Sequence, residues 1–209
     1  RGCGVHIHIG ANGHTAKTLR NLANIMASHE KLISKAIRVD LDSRGDYCHV
    51  TSPRFLKEVN KKKPKDLNEL ARIWYNGNTS RAMHHYDSSR YHMLNLHSTF
   101  QKGTVEFRMF NFAEPHGDRR GGIHAGEIKA YIQLCLAMSQ LAKQVRTASP
   151  REQQRENEKY ALRTWLLRLG FIGEEFKTAR TILLKNLDGN GSWRHTRPGT
   201  NENKEEVGA

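Results

Sequence analysis

Apolar and polar positions alternate with a period of two over Val5-His6-Ile7-His8-Ile9 and again over Val105-Glu106-Phe107-Arg108-Met109. Successive side chains leave a strand on opposite faces, so both stretches predict strands with an apolar core side. The first strand is expected at about residues 4–9, ending in the turn-rich Gly10-Ala11-Asn12-Gly13. The second is expected at about 103–112, paired with a strand at about 91–98 as an antiparallel hairpin through Phe100-Gln101-Lys102-Gly103. Elsewhere the period is helical. Leu19, Leu22, Ile25, Met26, Leu32 and Ile33 form one stripe on a helix that Thr15 caps and that runs to about Ala36. Ser52-Pro53 opens a short helix, and Asp66 caps another from Leu67 to Tyr75 that Asn76-Gly77 closes. A long helix at about 124–145 is expected to bury Ile128, Tyr131, Ile132, Cys135 and Met138, with two more helices at about 151–168 and 173–186. Residues 78–90 and the loop from Glu114 to Gly122 read as irregular. Residues 1–188 are expected to form one domain, and 189–209 a polar, mobile tail.

The polar faces of the two alternating strands carry the candidate chemistry. His6 and His8 share one face of the first, and Glu106 and Arg108 one face of the last. Imidazole nitrogens bind divalent metals or donate to phosphate oxygens, and a guanidinium offers a planar fork to phosphate or carboxylate. Each pair also has a plainer reading: polar residues on a wet strand face, or a surface salt bridge of little worth. His84, His85 and His97 add imidazoles, but no zinc spacing such as H-E-x-x-H is present. Arg119 and Arg120 read as solvated rather than anion-binding. The run from Gly10 to Thr18 has the wrong glycine gap for a phosphate-binding Walker loop, and Ala16 precedes its lysine.

Composition narrows the class. The formal charge of +13, from 34 Lys and Arg against 21 Asp and Glu, favours anionic partners. The charge is spread along the chain, and its densest run, Lys61-Lys62-Lys63-Pro64-Lys65, reads as a solvated loop. A basic nucleic-acid-binding module is therefore the rival reading and not the favoured one; 8% aromatic content without aromatic–basic alternation argues against a stacking platform. No run approaches the roughly 20 apolar residues of a membrane helix, and no signal peptide is evident. Cys3, Cys48 and Cys135 are irregularly spaced and read as thiols in a reducing compartment, which points to the cytoplasm.

Taken together, three stretches resemble the amidoligase family, carboxylate–amine ligases with a glutamine synthetase-like fold. They are Cys3-Gly-Val-His6-Ile-His8-Ile-Gly10, Arg90-Tyr91-His-Met-Leu94-Asn95-Leu96 and Gly103-Thr-Val-Glu106-Phe-Arg108-Met-Phe110-Asn111. The long helix from about His124 also falls where that family has one, so the resemblance covers about residues 3–145. It implies an α+β architecture: part of a glutamine synthetase-like curved antiparallel sheet packed by helices. It further implies ATP and Mg2+ as cofactors, with an amide or peptide-like bond formed through an activated acyl phosphate. The substrates would be small-molecule or peptide carboxylates and amines. By the same resemblance His6 and Glu106 are metal ligands, His8 contacts the nucleotide, Arg108 contacts phosphate at the reacting centre with Glu106 beside it, and Arg90 and Asn95 are cofactor-binding.

One element of the pattern is missing. The family places a Glu-x-Glu strand before the His-x-His strand, and no strand of this chain carries such a pair. The chain, which opens on Arg1, is expected to be a fragment or a processed chain whose early acidic strand lies on an upstream segment or a second chain. On that reading the chain alone binds ATP–Mg2+ weakly and turns over nothing; a non-catalytic relative is the alternative.

Overall fold

The computed structural model describes residues 4–39, 46–111, 121–122, 124–152 and 156–194. Among them are three strands and eight α-helices: β1 (Gly4–Gly10), α1 (Ala16–Ala27), α2 (Glu30–Ala36), α3 (Pro53–Lys62), α4 (Leu67–Trp74), β2 (Leu94–Asn95), α5 (His97–Lys102), β3 (Thr104–Asn111), α6 (Ala125–Gln144), α7 (Glu158–Arg168) and α8 (Lys177–Leu184). The strands form one small antiparallel sheet in the order β1-β3-β2.

This corrects the expected fold class. The described chain is mostly helical, and its three-stranded sheet neither closes nor curls like a glutamine synthetase sheet. The hairpin partner of β3 was expected over eight residues and has two, for a local reason. Asn95 Oδ1 accepts from the backbone N–H of His97 at 2.8 Å, and the chain turns at once into α5. A side-chain acceptor on an early helical N–H stabilises a helix start. Gly103, at φ +68°, then ends α5 in the left-handed region and releases the chain into β3.

Helix starts follow their caps. Thr15 and Thr18 form a reciprocal capping box on α1. Ser52 accepts from Phe55 N at α3, and Asp66 accepts from Glu69 N at α4. The single helix expected to run to Ala36 is two. At His29 the backbone leaves helical geometry (φ −131°), and the imidazole stacks 4.0 Å from Trp165 of α7. Of the stripe expected on α6, Tyr131, Cys135 and Met138 are buried, Ile128 is half-buried and Ile132 is exposed.

The sheet rests on α6, where Phe110 stacks on Tyr131 with ring centroids 4.4 Å apart. Directly opposed residues share a face. Val5 opposes Phe110, Ile7 opposes Phe107 and Ile9 opposes Val105, so the ladder gains one residue on β3 between Phe107 and Phe110. That bulge, around Arg108 and Met109, puts Phe110 where strict alternation expects Met109. At the start of the polar C-terminal segment, Asn157 Nδ2 donates to the carbonyls of Asn190 and Trp193, both at 2.8 Å. Residues 195–209 lie outside the described set, as do Cys3, Arg119 and Arg120. Among the described residues no helix is long and apolar enough to cross a membrane.

Candidate functional site

β3 is the central strand and is buried on both faces, so Glu106 and Arg108 occupy the interior: they are 5% and 4% exposed. This removes the surface salt bridge as an account of the pair. Arg108 Nη1 donates to Glu106 Oε1 at 2.8 Å. The other oxygen, Oε2, accepts from Asn95 Nδ2 at 2.6 Å. Across the ladder β1 brings His6 Nδ1 to 3.2 Å and His8 Nε2 to 3.6 Å from Oε1. His6 and Glu106 therefore share one face of neighbouring strands. A proton on His6 Nδ1 makes it the donor to Glu106; Arg108 Nη1, 3.4 Å from the same nitrogen, then acts only through its charge.

Burial alone would raise the pKa of Glu106. The hydrogen bond from His6, the charge of Arg108, the amide of Asn95 and the charge of His8 outweigh burial and hold it down at about 2. Glu106 is a carboxylate throughout the physiological range. Burial lowers the pKa of His8 against the pull of Glu106, with Lys102, His6 and Arg108 adding to the lowering, so its imidazole is neutral at pH 7. The ring is oriented from behind. His8 Nδ1 lies 3.0 Å from Thr104 Oγ1 and 3.4 Å from Ser98 Oγ, and the two hydroxyls are 2.7 Å apart. Thr104 was legible in the sequence, because Thr104, Glu106 and Arg108 alternate on one face. Ser98 was not, since it was expected to end a strand and arrives instead on α5.

Arg108 shows what the cluster lacks. Glu106 engages Nη1, and buried Nε has no hydrogen-bond partner among the described residues. In a guanidinium the N–H of Nε points to the same side as Nη2, and these two form the side-on fork that suits oxyanions. That edge is left over after Glu106 has taken the opposite nitrogen. A buried donor without an acceptor costs about 1–3 kcal/mol, which an anionic ligand would recover.

The remaining candidates separate. Asn95 uses both ends of its amide within the fold, donating to Glu106 and accepting from His97 N. Arg90 ends a short 3-10 turn, half-buried, and approaches the cluster through the ring of Tyr91. His84 and His85 are exposed, and His97 is buried with Nδ1 2.5 Å from Tyr75 Oη.

A metal fits this face poorly. Among the described residues no group of three or more His, Cys, Asp or Glu side chains is arranged to hold an ion. His6, His8 and Glu106 do converge, but on a single oxygen that Arg108 already holds. Mg2+ prefers an octahedral shell of oxygens, and neutral imidazoles are poor substitutes. Two cavities lie elsewhere: about 720 Å3 between α3 and α4, beside Arg54 and Arg72, and about 360 Å3 along α6, beside Leu136 and Phe176. Neither borders Glu106.

A family model described as "Putative amidoligase enzyme" matches residues 1–139. The chain belongs to this family. The match takes in β1, β2, β3 and most of α6, and with them every residue of the Glu106 cluster; α7 and α8 lie beyond it. No curated protein and no solved structure matches this amidoligase chain.

Proposed function

We propose that the Glu106–Arg108 face is the ligation centre of an ATP-dependent carboxylate–amine ligase that forms an amide or peptide-like bond through an acyl phosphate. The observation that carries this reading is the buried guanidinium of Arg108, fixed by Glu106 on one nitrogen and left without an acceptor at Nε among the described residues. In a chain of the amidoligase family, the group that suits this fork is the oxyanion at the reacting carbon or phosphorus. A fork that is already immobile stabilises developing negative charge without reorganising at the moment of reaction.

Bound ATP would supply the phosphoryl group that activates the acid and give ADP as leaving group. Glu106, charged at working pH, holds Arg108 in place. Asn95 holds the far oxygen of Glu106 and so acts through it rather than on a nucleotide. His6 and His8 line the approach from β1, and His8, neutral and anchored through Nδ1, presents Nε2 to the bound nucleotide or to the incoming amine. The burial of β3 keeps water from the anhydride. The described donors do not suit Mg2+, and no step is routed through it.

Arg108→Lys tests the reading, because a lysine keeps the charge and loses the fork. In the whole protein that carries this chain, ADP release that depends on both an acid and an amine should fall at least 100-fold, with the fold intact by circular dichroism. On the chain itself, orthophosphate binding should be lost in the same variant. Wild-type-like turnover in Arg108→Lys removes Arg108 from the reaction. Failure of the wild type to couple ADP release to both substrates removes the ligase.

A further inference from the structure

α6 packs against α1, α8 and β1, yet its outer face is apolar where solvent would favour charge: Leu136 is 51% exposed. With Leu141 of the same helix, Leu169 at the end of α7 and Phe176 just before α8, it forms the floor of the 360 Å3 groove along α6. That volume falls within the roughly 300–1,000 Å3 of small-molecule sites, towards the lower end. The α6 residues that line the groove run from Gln133 to Gln144. At 1.5 Å per residue this wall is about 16 Å long, so the space is drawn out rather than round.

The lining holds one charge, the exposed Arg168 in the last turn of α7. Its side chain has no ion pair and no hydrogen bond among the described residues. The carboxylates of the adjoining turn are already taken, Glu174 by Lys177 at 3.2 Å and Glu175 by Lys129 at 2.9 Å. A long apolar floor with a single unspent guanidinium suits an amphipathic acid, its tail removed from water and its carboxylate on the planar fork. A polyphosphate would need several converging cations. A second copy of the chain would bring a second Arg168 and a second charge of +13 to the same face, which opposes its docking there.

We propose that this groove binds a linear, medium-chain carboxylic acid, with the alkyl chain laid along α6 between Leu136 and Phe176 and the carboxylate on Arg168. Arg168, Leu169 and Phe176 lie beyond the residues that the amidoligase model matches, and the groove does not border Glu106. The site is therefore separate from the ligation centre and does not rest on its reading.

The test is calorimetric titration of the chain at physiological salt with hexanoate, octanoate and decanoate, each against the primary alcohol of equal length. Wild type, Arg168→Gln and Leu136→Asp are compared; both positions are exposed, so neither change disturbs the core. Affinity should rise at least about fivefold with each two added methylenes, and each acid should bind at least about tenfold more tightly than its alcohol. Arg168→Gln should erase the preference for the acid and leave the alcohol unchanged; Leu136→Asp should lose both. A wild type that binds none of the acids overturns the site, as does a preference that survives Arg168→Gln or binding that survives Leu136→Asp. Acid binding that is lost in Arg108→Lys but kept in Leu136→Asp would place the acid at the ligation centre and overturn the groove. Dimerisation in sedimentation velocity that Leu136→Asp abolishes, with no acid bound by the wild type, would give the face to a second copy and overturn it too.

Discussion

Glu106→Gln perturbs the cluster at its centre, and its cost should depend on pH in a calculable way. Glu106 accepts from Asn95 on one oxygen and from Arg108 and His6 on the other. A glutamine supplies one oxygen, so its NH2 must face one of these donors, and Arg108, 4% exposed, loses its counter-charge. Breaking a buried pair from one side costs about 3–5 kcal/mol. Protonation gives an independent handle on the same interaction. The folded pKa of about 2 against an ordinary 4.5 is a depression of roughly two and a half units, and each unit is worth about 1.4 kcal/mol. A depressed carboxylate contributes stability that is fully present above pH 4.5 and is lost as pH falls towards 2, here about 3 kcal/mol. Urea unfolding of wild type and Glu106→Gln from pH 7 to pH 2.5 should show a gap of about 3–5 kcal/mol at neutral pH that mostly closes at the acid end. Glu106→Gln/Arg108→Met, which removes both charges, should recover most of the neutral-pH loss. A gap that does not change with pH, or a double variant no better than the single, would refute the electrostatic account of the cluster.

Two buried titratable groups away from this face make further predictions. His14 lies 2.7 Å from Ser139 Oγ and 3.0 Å from Thr18 Oγ1, and burial, with the charge of Lys143, lowers its pKa from 6.5 to about 4. The unfolded chain takes a proton near pH 6.5 that the folded chain refuses, so about 3 kcal/mol of stability should disappear between pH 6.5 and 4. His14→Gln should flatten that slope in the urea midpoints, and an unchanged slope would exonerate His14. Glu30 runs the other way, because burial raises its pKa to about 7 despite two hydrogen bonds from Thr51 at 2.9 Å. Its unfavourable ionisation weakens the fold as pH rises from 4.5 through 7. Glu30→Gln, which keeps an acceptor for Thr51, should therefore be up to about 3 kcal/mol more stable than wild type at pH 8 and show no gain at pH 4; thermal melts at the two pH values decide it.

Local chemistry made part of this molecule legible in the chain alone. Thr15, Ser52 and Asp66 cap the helices they were expected to cap, because a side-chain oxygen on an orphan N–H acts within three residues and needs no tertiary partner. The period of two likewise placed His6, Glu106 and Arg108 on shared strand faces before any coordinates, since alternation is a property of an extended backbone. What alternation cannot contain is whether a face is wet. Glu106 and Arg108 look like a surface pair in sequence and are interior because His6, His8, Asn95 and the ring of Tyr91 close around them in the folded chain. The bulge at Arg108 is equally invisible, as it depends on how Val5 and Ile7 register against Phe110 and Phe107, about a hundred residues away in the chain. Asn95 shows the limit most clearly. One end of its amide ends β2 and the other holds Glu106, bonds that exist only once α5 and β3 have packed. Arg90 has its two tyrosines in the sequence neighbourhood, yet its nearness to Arg108 through Tyr91 is a fact of the fold, because the segment before β2 packs on β3, where Arg108 N donates to the carbonyl of Met93.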